Sequence, residues 1–546
     1  MTQALPKASE RSPRTWTLLR YSFFLSLLLI AALAAYLRLH NLLPLERGVQ
    51  FLQDYDEAVY DTTAQLMLQG HLPYRDFFAT VPPVGIYLKA GVLRLVNVPW
   101  GSGAGFVATR YASVVYGLVT VVAVYLVARR LAGRPAGLVA AGLLAVDGLV
   151  IGMDRRATLE TPVNLFSILA VLAYLLAFER THDDAKGQRL VVLAGFLSAL
   201  AALAKSSGPV VVVTLLTVSL MRRRLREAAI IAVSFGLSWM ALCAHFLLQC
   251  PGDFVRQVYF LQLLRPVDGI VSRAVRLSGI WNYAQAWLTV RTGLVGALLL
   301  GLLVIRRRDA RPWLVVLVWM GYTLALITGH WAYWAQYYVQ LAVPLSLLGG
   351  GLLDARIRPD WRCSRAASSS RRVTLGALAL LVMLVAGWAT GAIAHQCADM
   401  TRMLAQVSPV YTEIAAYLRQ NAGPDDPILV FEPNYTFLAS RPPAGEEPGR
   451  FFVDSYGGML YTNLGIQERP LLVLVGDMLA GTRGDLQRTF WRAPAQEQVL
   501  AAFDRAEYVI VDGRARYQLA PQTLATIKAR STEVWAAGFA SVRRRR

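Results

Sequence analysis

The feature that most restricts the fold of this chain is a succession of long apolar runs separated by short polar loops. Several runs extend for about 18 residues or more with few charges, which is the length that a helix needs to span the hydrocarbon core of a bilayer. Hydrophobic residues form 55% of the 546-residue chain, and its mean hydropathy is +0.42. Ordinary soluble domains are only about 45–50% apolar. The sequence therefore predicts an α-helical polytopic membrane protein.

The number and orientation of the spans follow from the distribution of apolar and basic residues. Every second loop is rich in Arg and Lys, and cytoplasmic loops carry such an excess. This pattern places the N-terminus in the cytoplasm and the chain after residue 395 outside the cell membrane. The first run is longer than the apolar part of a signal peptide, so it is predicted to be a retained helix. The eleven predicted spans cover residues 20–40, 104–128, 135–152, 159–178, 190–204, 208–221, 228–249, 286–305, 312–329, 335–353 and 373–394.

The net charge of +20 bears on the partners of the protein. In a soluble protein such a charge would suggest nucleic acid binding. Here the basic residues lie in short loops between apolar runs rather than on one soluble face. Membrane orientation explains them, and nucleic acid is not a predicted partner.

After the last predicted span the composition becomes that of a soluble domain. The segments "YTEIAAYLRQNAGPDDPILVFEP" and "VLAAFDRAEYVIVDG" each show a helix pattern followed by a strand pattern. The sequence predicts a transmembrane domain at 1–398, with an external loop at 41–103, and a small extracytoplasmic α/β domain at 399–546. The basic run at 543–546 lies outside in this topology, and ten spans with a cytoplasmic tail are the alternative.

Five carboxylates lie directly after the first span, in "FLQDYDEAVYDTTAQLMLQGHLPYRDFF". The segment predicts a short amphipathic helix at the membrane interface, ended by Gly70, with Asp56 and Glu57 near its N-terminus. Two acids at that position either only stabilise the helix dipole or take part in a reaction. Asp61 is predicted to lie on a solvated face, and Asp76 to pair with its neighbour Arg75.

Further ionisable residues belong to the same side of the membrane. The turn "MDRRATLETP" contains Arg155, Arg156 and Glu160, and Lys205 lies between two apolar runs, where a charge is expensive. Arg110 lies inside the second span, where either an ion pair with an acid of a neighbouring helix or a ligand role is open. Cations that hold a lipid-borne phosphate and a carboxylate that deprotonates a hydroxyl would suit group transfer.

The order of these segments resembles a known family. It runs "DYDEAVY", "GHLPYRDF", "PPVGIYL", "ATRYAS", "RRATLETPVNLF" and "LAKSSG", within about the first 210 residues. This set is similar to the lipid-linked sugar transferases of the GT-C superfamily. The similar branch contains the protein O-mannosyltransferases and the bacterial transferase that adds aminoarabinose to lipid A. The resemblance implies a GT-C-like transmembrane domain and transfer of a sugar from a polyprenyl-phosphate donor to a hydroxyl acceptor, with inversion.

The resemblance also implies roles for individual residues. Asp56 matches the catalytic carboxylate, with Glu57 beside it, and Lys205 matches a lysine that contacts the donor phosphate. Arg155 and Glu160 match a basic residue and an acid five positions later, although the family commonly has Asp at the second position. The substrate-binding set that the resemblance implies is completed by Arg156, Arg110, Tyr74, Arg75, Tyr337 and Tyr338.

The turn "HWAYWAQYYVQLAVP" supplies the last two of these residues together with His330. Anchoring of aromatic rings at the membrane interface is the alternative interpretation of this turn. Some relatives use a divalent cation, and Asp54, Asp56 and Glu57 offer oxygen ligands for one, so the metal is left open.

Other functions and features are also left open. A transporter or flippase of lipid-linked sugars is the alternative function, and it would predict internal repeats and interrupted helices, neither of which the sequence shows. An inactive envelope scaffold is a third possibility. The identities of the sugar and the acceptor are not predicted, and the external aromatics Tyr435, Phe437 and Tyr456 are candidates for acceptor recognition by residue type alone. Cys250 and Cys397 fall at external span ends, which leaves a disulfide open.

Overall fold

A computed structural model describes most of the chain. The described residues are 13–42, 54–97, 101–178, 184–269, 272, 274–279, 287–329, 332–354, 356, 398, 409–447, 449–480 and 484–546. The predicted span at 373–394, His330 and Cys397 lie outside them.

Helices dominate the first part of the chain, as the apolar runs predict. They are α1 (Pro13–Leu39), α2 (Tyr55–Leu68), α3 (Pro83–Val96), α4 (Gly103–Ala132), α5 (Arg134–Ala145), α6 (Gly148–Asp154), α7 (Glu160–Phe178), α8 (Ala185–Ala204), α9 (Val210–Met221), α10 (Leu225–Gln249), α11 (Pro251–Val255), α12 (Leu261–Leu264), α13 (Leu288–Arg306), α14 (Leu314–Gly329) and α15 (Val339–Gly350). Two short strands, β1 (Asp268–Gly269) and β2 (Ala332–Tyr333), pair in parallel between the later helices.

Within the described residues, seven helices are long and apolar enough to cross a membrane, or eight if one bent pair counts as a span. The predicted spans at 208–221 and 335–353 are helices of 12 residues each, α9 and α15. At 1.5 Å per residue such a helix is about 18 Å long, shorter than the hydrocarbon core of about 30 Å. The membrane-spanning character is confirmed, whereas the count of eleven is not.

The third predicted span is interrupted, which the sequence analysis did not foresee. Helices α5 and α6 replace it and meet at an angle of 64°. Asp147 begins α6, and its carboxylate accepts a hydrogen bond from the backbone N–H of Val150 at 3.1 Å. As the N-cap residue, Asp147 satisfies a backbone N–H that the first turn of a helix leaves without a partner. The expectation of uninterrupted helices was therefore wrong at this position.

The external loop forms two packed helices rather than a helix on the membrane surface. Helix α2 begins after the N-cap Asp54 and ends before Gly70. Gly70 has a φ of +95°, which glycine adopts without strain because it has no Cβ. All residues from Glu57 to Leu66 are buried, because α2 packs against α3 and against the C-terminal domain. The prediction of a helix with these limits is confirmed, and the expectation of an amphipathic helix with an exposed polar face is wrong.

The C-terminal domain combines helices with a small sheet, as predicted. Its helices are α16 (Val410–Asn421), α17 (Asn434–Ala439), α18 (Ser455–Asn463), α19 (Leu471–Ala480), α20 (Leu486–Phe490), α21 (Ala493–Arg505), α22 (Gly513–Gln518) and α23 (Pro521–Ala529). Its strands are β3 (Ile428–Leu429), β4 (Tyr508–Val511), β5 (Ser531–Ala537) and β6 (Ala540–Arg545). The boundary at 398/399 stays a prediction, because the adjoining residues 399–408 lie outside the described ranges.

The sheet has the order β3-β4-β6-β5. Strands β3 and β4 are parallel, with Ile428 opposite Tyr508, and β6 is antiparallel to both β4 and β5. The carboxyl ends of β3 and β4 therefore lie side by side at the same end of the sheet.

A shared apolar core joins the C-terminal domain to the external loop and the membrane helices. It contains Phe106 of α4 and Phe437 of α17, whose ring centroids are 6.2 Å apart, together with Tyr74 of the loop and Ile428 of β3. This packing places the carboxyl ends of β3 and β4 over the start of α2.

Candidate active site

A cavity of about 640 Å³ lies between the start of α2, the ends of several membrane helices and the C-terminal domain. Its size is that of pockets that bind small ligands. The ionisable residues and tyrosines that line it are Asp54, Tyr55, Asp56, Tyr60, Lys205, Arg265, Asp268, Tyr337, Tyr411, Glu432, Asp454, Tyr456, Asp512, Arg514 and Tyr517.

Asp56 occupies the floor of this cavity. The N-cap residue Asp54 accepts a hydrogen bond from the backbone N–H of Asp56 at 3.0 Å, which sets the direction of the first turn of α2. One carboxylate oxygen of Asp56 accepts a hydrogen bond from the Tyr60 hydroxyl at 3.2 Å and lies 3.9 Å from Nζ of Lys205. One third of the Asp56 side chain is accessible, and this part faces the cavity.

The environment of Asp56 favours a proton acceptor near neutral pH. Burial raises the pKa of Asp56 to about 6, against the attraction of Lys205, and the neighbouring carboxylates Asp54, Glu160 and Asp454 act in the same direction as burial. A carboxylate with a pKa near the working pH is well suited to general base catalysis.

Lys205 provides the cation closest to Asp56. It caps the C-terminal end of α8, its Nζ lies 2.6 Å from Glu160, and it lies 5.6 Å from the ring centroid of Tyr337. Burial by itself would lower the pKa of Lys205, but Glu160 and Asp56 raise it well above its usual value. Lys205 therefore remains charged inside the cavity.

Glu57 and Arg110 form a buried ion pair outside the cavity. Nε and Nη2 of Arg110 donate to the two carboxylate oxygens of Glu57 at 2.6 and 2.7 Å, and both side chains are fully buried. Of the two roles left open for Arg110, this geometry favours the ion pair. Glu57 does not line the cavity with Asp56, so the structure separates the two acids that the sequence places side by side.

The prediction that Asp61 lies on a solvated face is wrong. The side chain is fully buried, and its carboxylate oxygens lie 2.8 Å from Nζ of Lys89 and 3.0 Å from the Thr109 hydroxyl. The prediction failed because the partners lie 28 or more positions away, on α3 and α4. The predicted pair of Asp76 with Arg75 is confirmed at 2.7 Å.

Several other predicted site residues do not line the cavity but form hydrogen bonds or ion pairs with neighbouring elements. Arg155 donates to the carbonyl of Leu37, Arg156 pairs with Asp54 at 3.1 Å, the Tyr74 hydroxyl donates to the carbonyl of Val81, and the Tyr338 hydroxyl donates to the carbonyl of Arg276. Half of the Arg75 side chain is exposed, away from Asp56. From the late aromatic turn, Tyr337 alone of the two predicted tyrosines reaches the cavity.

The C-terminal domain contributes acidic and basic residues to the cavity that were not predicted from the sequence. Glu432 follows β3 in "VFEP", and Asp512 and Arg514 follow β4 in "IVDGRA". Ligands of α/β sheets bind outside the carboxyl ends of parallel strands, so these positions carried a signal that was not used. Of the external aromatics proposed by type, Tyr456 lines the cavity, whereas Tyr435 and Phe437 belong to the core.

The carboxylates proposed as metal ligands do not converge on one point. Asp54 binds its own helix N-terminus and Arg156, and Glu57 binds Arg110. Among the described residues there is no group of three His, Cys, Asp or Glu side chains arranged to hold a metal ion. The residues present do not fit a divalent cation, and we derive no step through one.

Comparison with known proteins agrees with this architecture. Residues 80–248 match the family model described as dolichyl-phosphate-mannose-protein mannosyltransferase. The whole fold is similar to ArnT from Cupriavidus metallidurans in its apo state, with a TM-score of 0.62, 14% identity, and coverage of 96% of this chain and 98% of that one. The fold is that of the GT-C superfamily.

A second GT-C structure supports the same fold. The oligosaccharyltransferase of Archaeoglobus fulgidus, tethered with an acceptor peptide, has a TM-score of 0.52 and 14% identity, covering 90% of this chain and 69% of that one. A comparison with curated protein sequences finds no match. The predicted resemblance to GT-C glycosyltransferases is confirmed.

Proposed function

We propose that this membrane protein transfers a sugar from a polyprenyl-phosphate donor to an acceptor hydroxyl on the extracytoplasmic side, with inversion. The observation that carries the proposal is the position of Asp56 in the cavity, 3.9 Å from Nζ of Lys205. Burial raises the pKa of Asp56, and the neighbouring carboxylates keep Lys205 protonated. The family match adds support, as does the similar ArnT from Cupriavidus metallidurans, whose structure bound to undecaprenyl phosphate has a TM-score of 0.56 to this chain.

In the proposed reaction Asp56 is the general base. The acceptor oxygen forms a bond to the anomeric carbon while the bond from that carbon to the phosphate oxygen breaks. The acceptor proton moves to the carboxylate of Asp56, and the bonding electron pair leaves with the polyprenyl phosphate. A phosphate leaves as a stable anion, so no acid is needed on the departing side.

Lys205 is the proposed partner of the donor phosphate. Its charge is balanced at rest by Glu160 at 2.6 Å and by Asp56 at 3.9 Å. A phosphate bound near Nζ would gain a charge-assisted hydrogen bond in a site with little water. The buried Glu160 holds the ammonium in place and keeps it charged.

The test is the substitution Asp56→Asn in the full chain, reconstituted with radiolabelled polyprenyl-phosphate sugars and a membrane extract as acceptor. General base catalysis contributes typically 10²–10⁴-fold, so we expect transfer to fall by at least about 10²-fold. Asp76→Asn is the matched control, because Asp76 belongs to the same loop but pairs with Arg75 outside the cavity. Unchanged transfer by a folded Asp56→Asn protein would exclude Asp56 as the base.

The interrupted span formed by α5 and α6 is the one observation that favours the alternative, a transporter or flippase of lipid-linked sugars. Such a protein would move the labelled lipid across liposomes without forming a new glycosidic bond. Chemical analysis of the labelled product therefore separates the two functions.

A further inference from the structure

The polar wall that the C-terminal domain adds to the cavity is not used by the reaction as described above. Parallel strands β3 and β4 end at this wall, followed by Glu432 and by Asp512 and Arg514. The crevice outside such strand ends is where open α/β sheets bind ligands. The carboxyl ends of the parallel strands of this domain therefore face the same cavity as Asp56.

Arg514 is held in a fixed position but keeps free donors. Its Nε lies 3.1 Å from Glu432, and its guanidinium lies over the ring of Tyr55 at 3.7 Å. Among the described residues its two terminal nitrogens make no hydrogen bond, and 30% of the side chain is accessible in the cavity. Glu432 is itself fixed by Asn434 at 2.8 Å.

Two tyrosines extend this wall with further hydroxyl groups. Tyr411 packs against Tyr435, with ring centroids 4.9 Å apart, and Tyr517 packs against Phe490 at 5.9 Å. Within the part of the chain that the structure describes, neither hydroxyl makes a hydrogen bond, although both residues line the cavity. The wall therefore presents aromatic rings together with unused donors and acceptors.

The charge of the wall limits what it can bind. Three carboxyl groups, Glu432, Asp454 and Asp512, and one guanidinium, Arg514, line this wall. Because Arg514 pairs with Glu432, the wall offers no excess of cations to an anionic acceptor, whereas Lys205 lies 3.9 Å from Asp56. Carboxylates, guanidinium and tyrosine hydroxyls at fixed positions match the alternating donors and acceptors of neighbouring sugar hydroxyls.

A peptide acceptor fits this wall less well. Extended peptides add to an exposed sheet edge through main-chain hydrogen bonds. The strands at the two edges of the described sheet are β3 and β5, and none of their residues lines the cavity.

The following inference rests on the proposed glycosyl transfer. We propose that the wall of the cavity formed by Glu432, Asp512, Arg514, Tyr411 and Tyr517 is the acceptor subsite, and that it holds an uncharged carbohydrate. The acceptor hydroxyl then belongs to a sugar that lies between this wall and Asp56. The specificity of the enzyme for its acceptor resides in the C-terminal domain.

The test compares two activities of the full chain in nanodiscs. One is hydrolysis of radiolabelled polyprenyl-phosphate sugars by water, and the other is transfer to three separate pools: neutral oligosaccharides, a threonine-rich peptide and a phosphorylated glycolipid. We expect transfer to the neutral oligosaccharides. Arg514→Gln and Tyr517→Phe should each lower the ratio of transfer to hydrolysis, by at least ten-fold for Arg514→Gln, with a raised acceptor KM.

The matched control is Arg530→Gln, because Arg530 is an exposed arginine of the same domain that pairs with Asp504 outside the cavity. Transfer to the peptide or the phosphorylated glycolipid, no transfer to any pool, or a ratio that Arg514→Gln leaves unchanged would overturn the subsite alone. Absence of both hydrolysis and transfer in the unsubstituted protein would instead overturn the proposed function, and the subsite with it.

Discussion

At the scale of single residues, the proposed base Asp56 lies where its negative charge lowers the stability of the folded protein. Its carboxylate lies near the carboxylates of Asp54, Glu160 and Asp454, and its charge is stabilised by Lys205 and by the hydrogen bond from Tyr60. These conditions disfavour the charged form in the folded state. Proteins tolerate such strain mainly where the group has a chemical task.

The activity should follow the ionisation of Asp56. The base must be deprotonated, so kcat/KM should rise with pH through about 6 and reach a plateau above it, because burial raises the pKa of Asp56 to about 6. The measurement is a pH profile of sugar transfer by the purified protein. A profile that is flat between pH 5 and 8 would contradict this assignment.

The raised pKa of Asp56 also makes the stability of the folded protein depend on pH, and this stability falls over the pH range in which the activity rises. The unfolded acid titrates near 3.8 and the folded one near 6, so the folded state binds the proton more tightly. The stabilisation is fully present below the unfolded pKa and is lost as the pH rises through about 6. Asp56→Asn should therefore raise the melting temperature more at pH 8 than at pH 5. An equal change at both pH values would show that the carboxylate is not destabilising.

At the scale of elements, helix α2 is positioned from several sides by polar contacts. Glu57 binds Arg110 of α4, Asp61 binds Lys89 of α3, and the Tyr55 hydroxyl donates to Asp454 of the C-terminal domain at 2.9 Å. These contacts flank Asp56 in sequence and restrict both the rotation and the translation of α2. Glu57 and Asp61 therefore orient α2 and with it Asp56, the proposed base.

The Glu57–Arg110 pair provides a test of this role. Arg110→Met leaves a fully buried carboxylate without its partner, which should lower the free energy of unfolding by roughly 3–5 kcal/mol. Adding Glu57→Leu should restore most of the loss, because the uncompensated charge is removed. Chemical unfolding in detergent measures both variants.

The control for this experiment is the exposed pair Arg530–Asp504, whose side chains are about half accessible. Arg530→Met should change the unfolding free energy by less than about 1 kcal/mol. A loss for Arg110→Met as small as that of the control would show that the buried pair does not hold α2 in place.

At the scale of the whole molecule, the site exists only because two parts of the chain share a core. Phe106 and Phe437 are separated by 331 positions in the sequence but pack in one cluster. The C-terminal domain forms one wall of the cavity above the start of α2. The proposed orientation places this cavity on the outer face of the membrane.

The orientation can be tested with trypsin and an epitope tag at the C-terminus. The basic loop at Arg222 to Arg224 should be cleaved only in inverted vesicles, because it is proposed to be cytoplasmic. The C-terminal domain should be cleaved only in right-side-out vesicles. Cleavage of both regions from the same side would support ten spans with a cytoplasmic tail.

The membrane helices, the small α/β domain and the helix that carries Asp56 could be predicted from the amino-acid sequence. These properties depend on local patterns: apolar length, alternation, basic loops, and acids beside an N-cap. The same local information predicted the limits of α2 and the turn at Gly70. Asp56, Lys205 and Tyr337 were all predicted, and the fold brings them to one cavity.

Which of the neighbouring acids faces the cavity depends on the packing of distant parts of the chain. Asp56, Glu57 and Asp61 share one short helix, but their partners Lys205, Arg110 and Lys89 come from three different helices or helix ends. An acid and a base pair according to distance in space, and no local pattern encodes contacts over dozens of positions. For the same reason the wall of Glu432 and Arg514 became visible only when the carboxyl ends of two parallel strands were placed over Asp56.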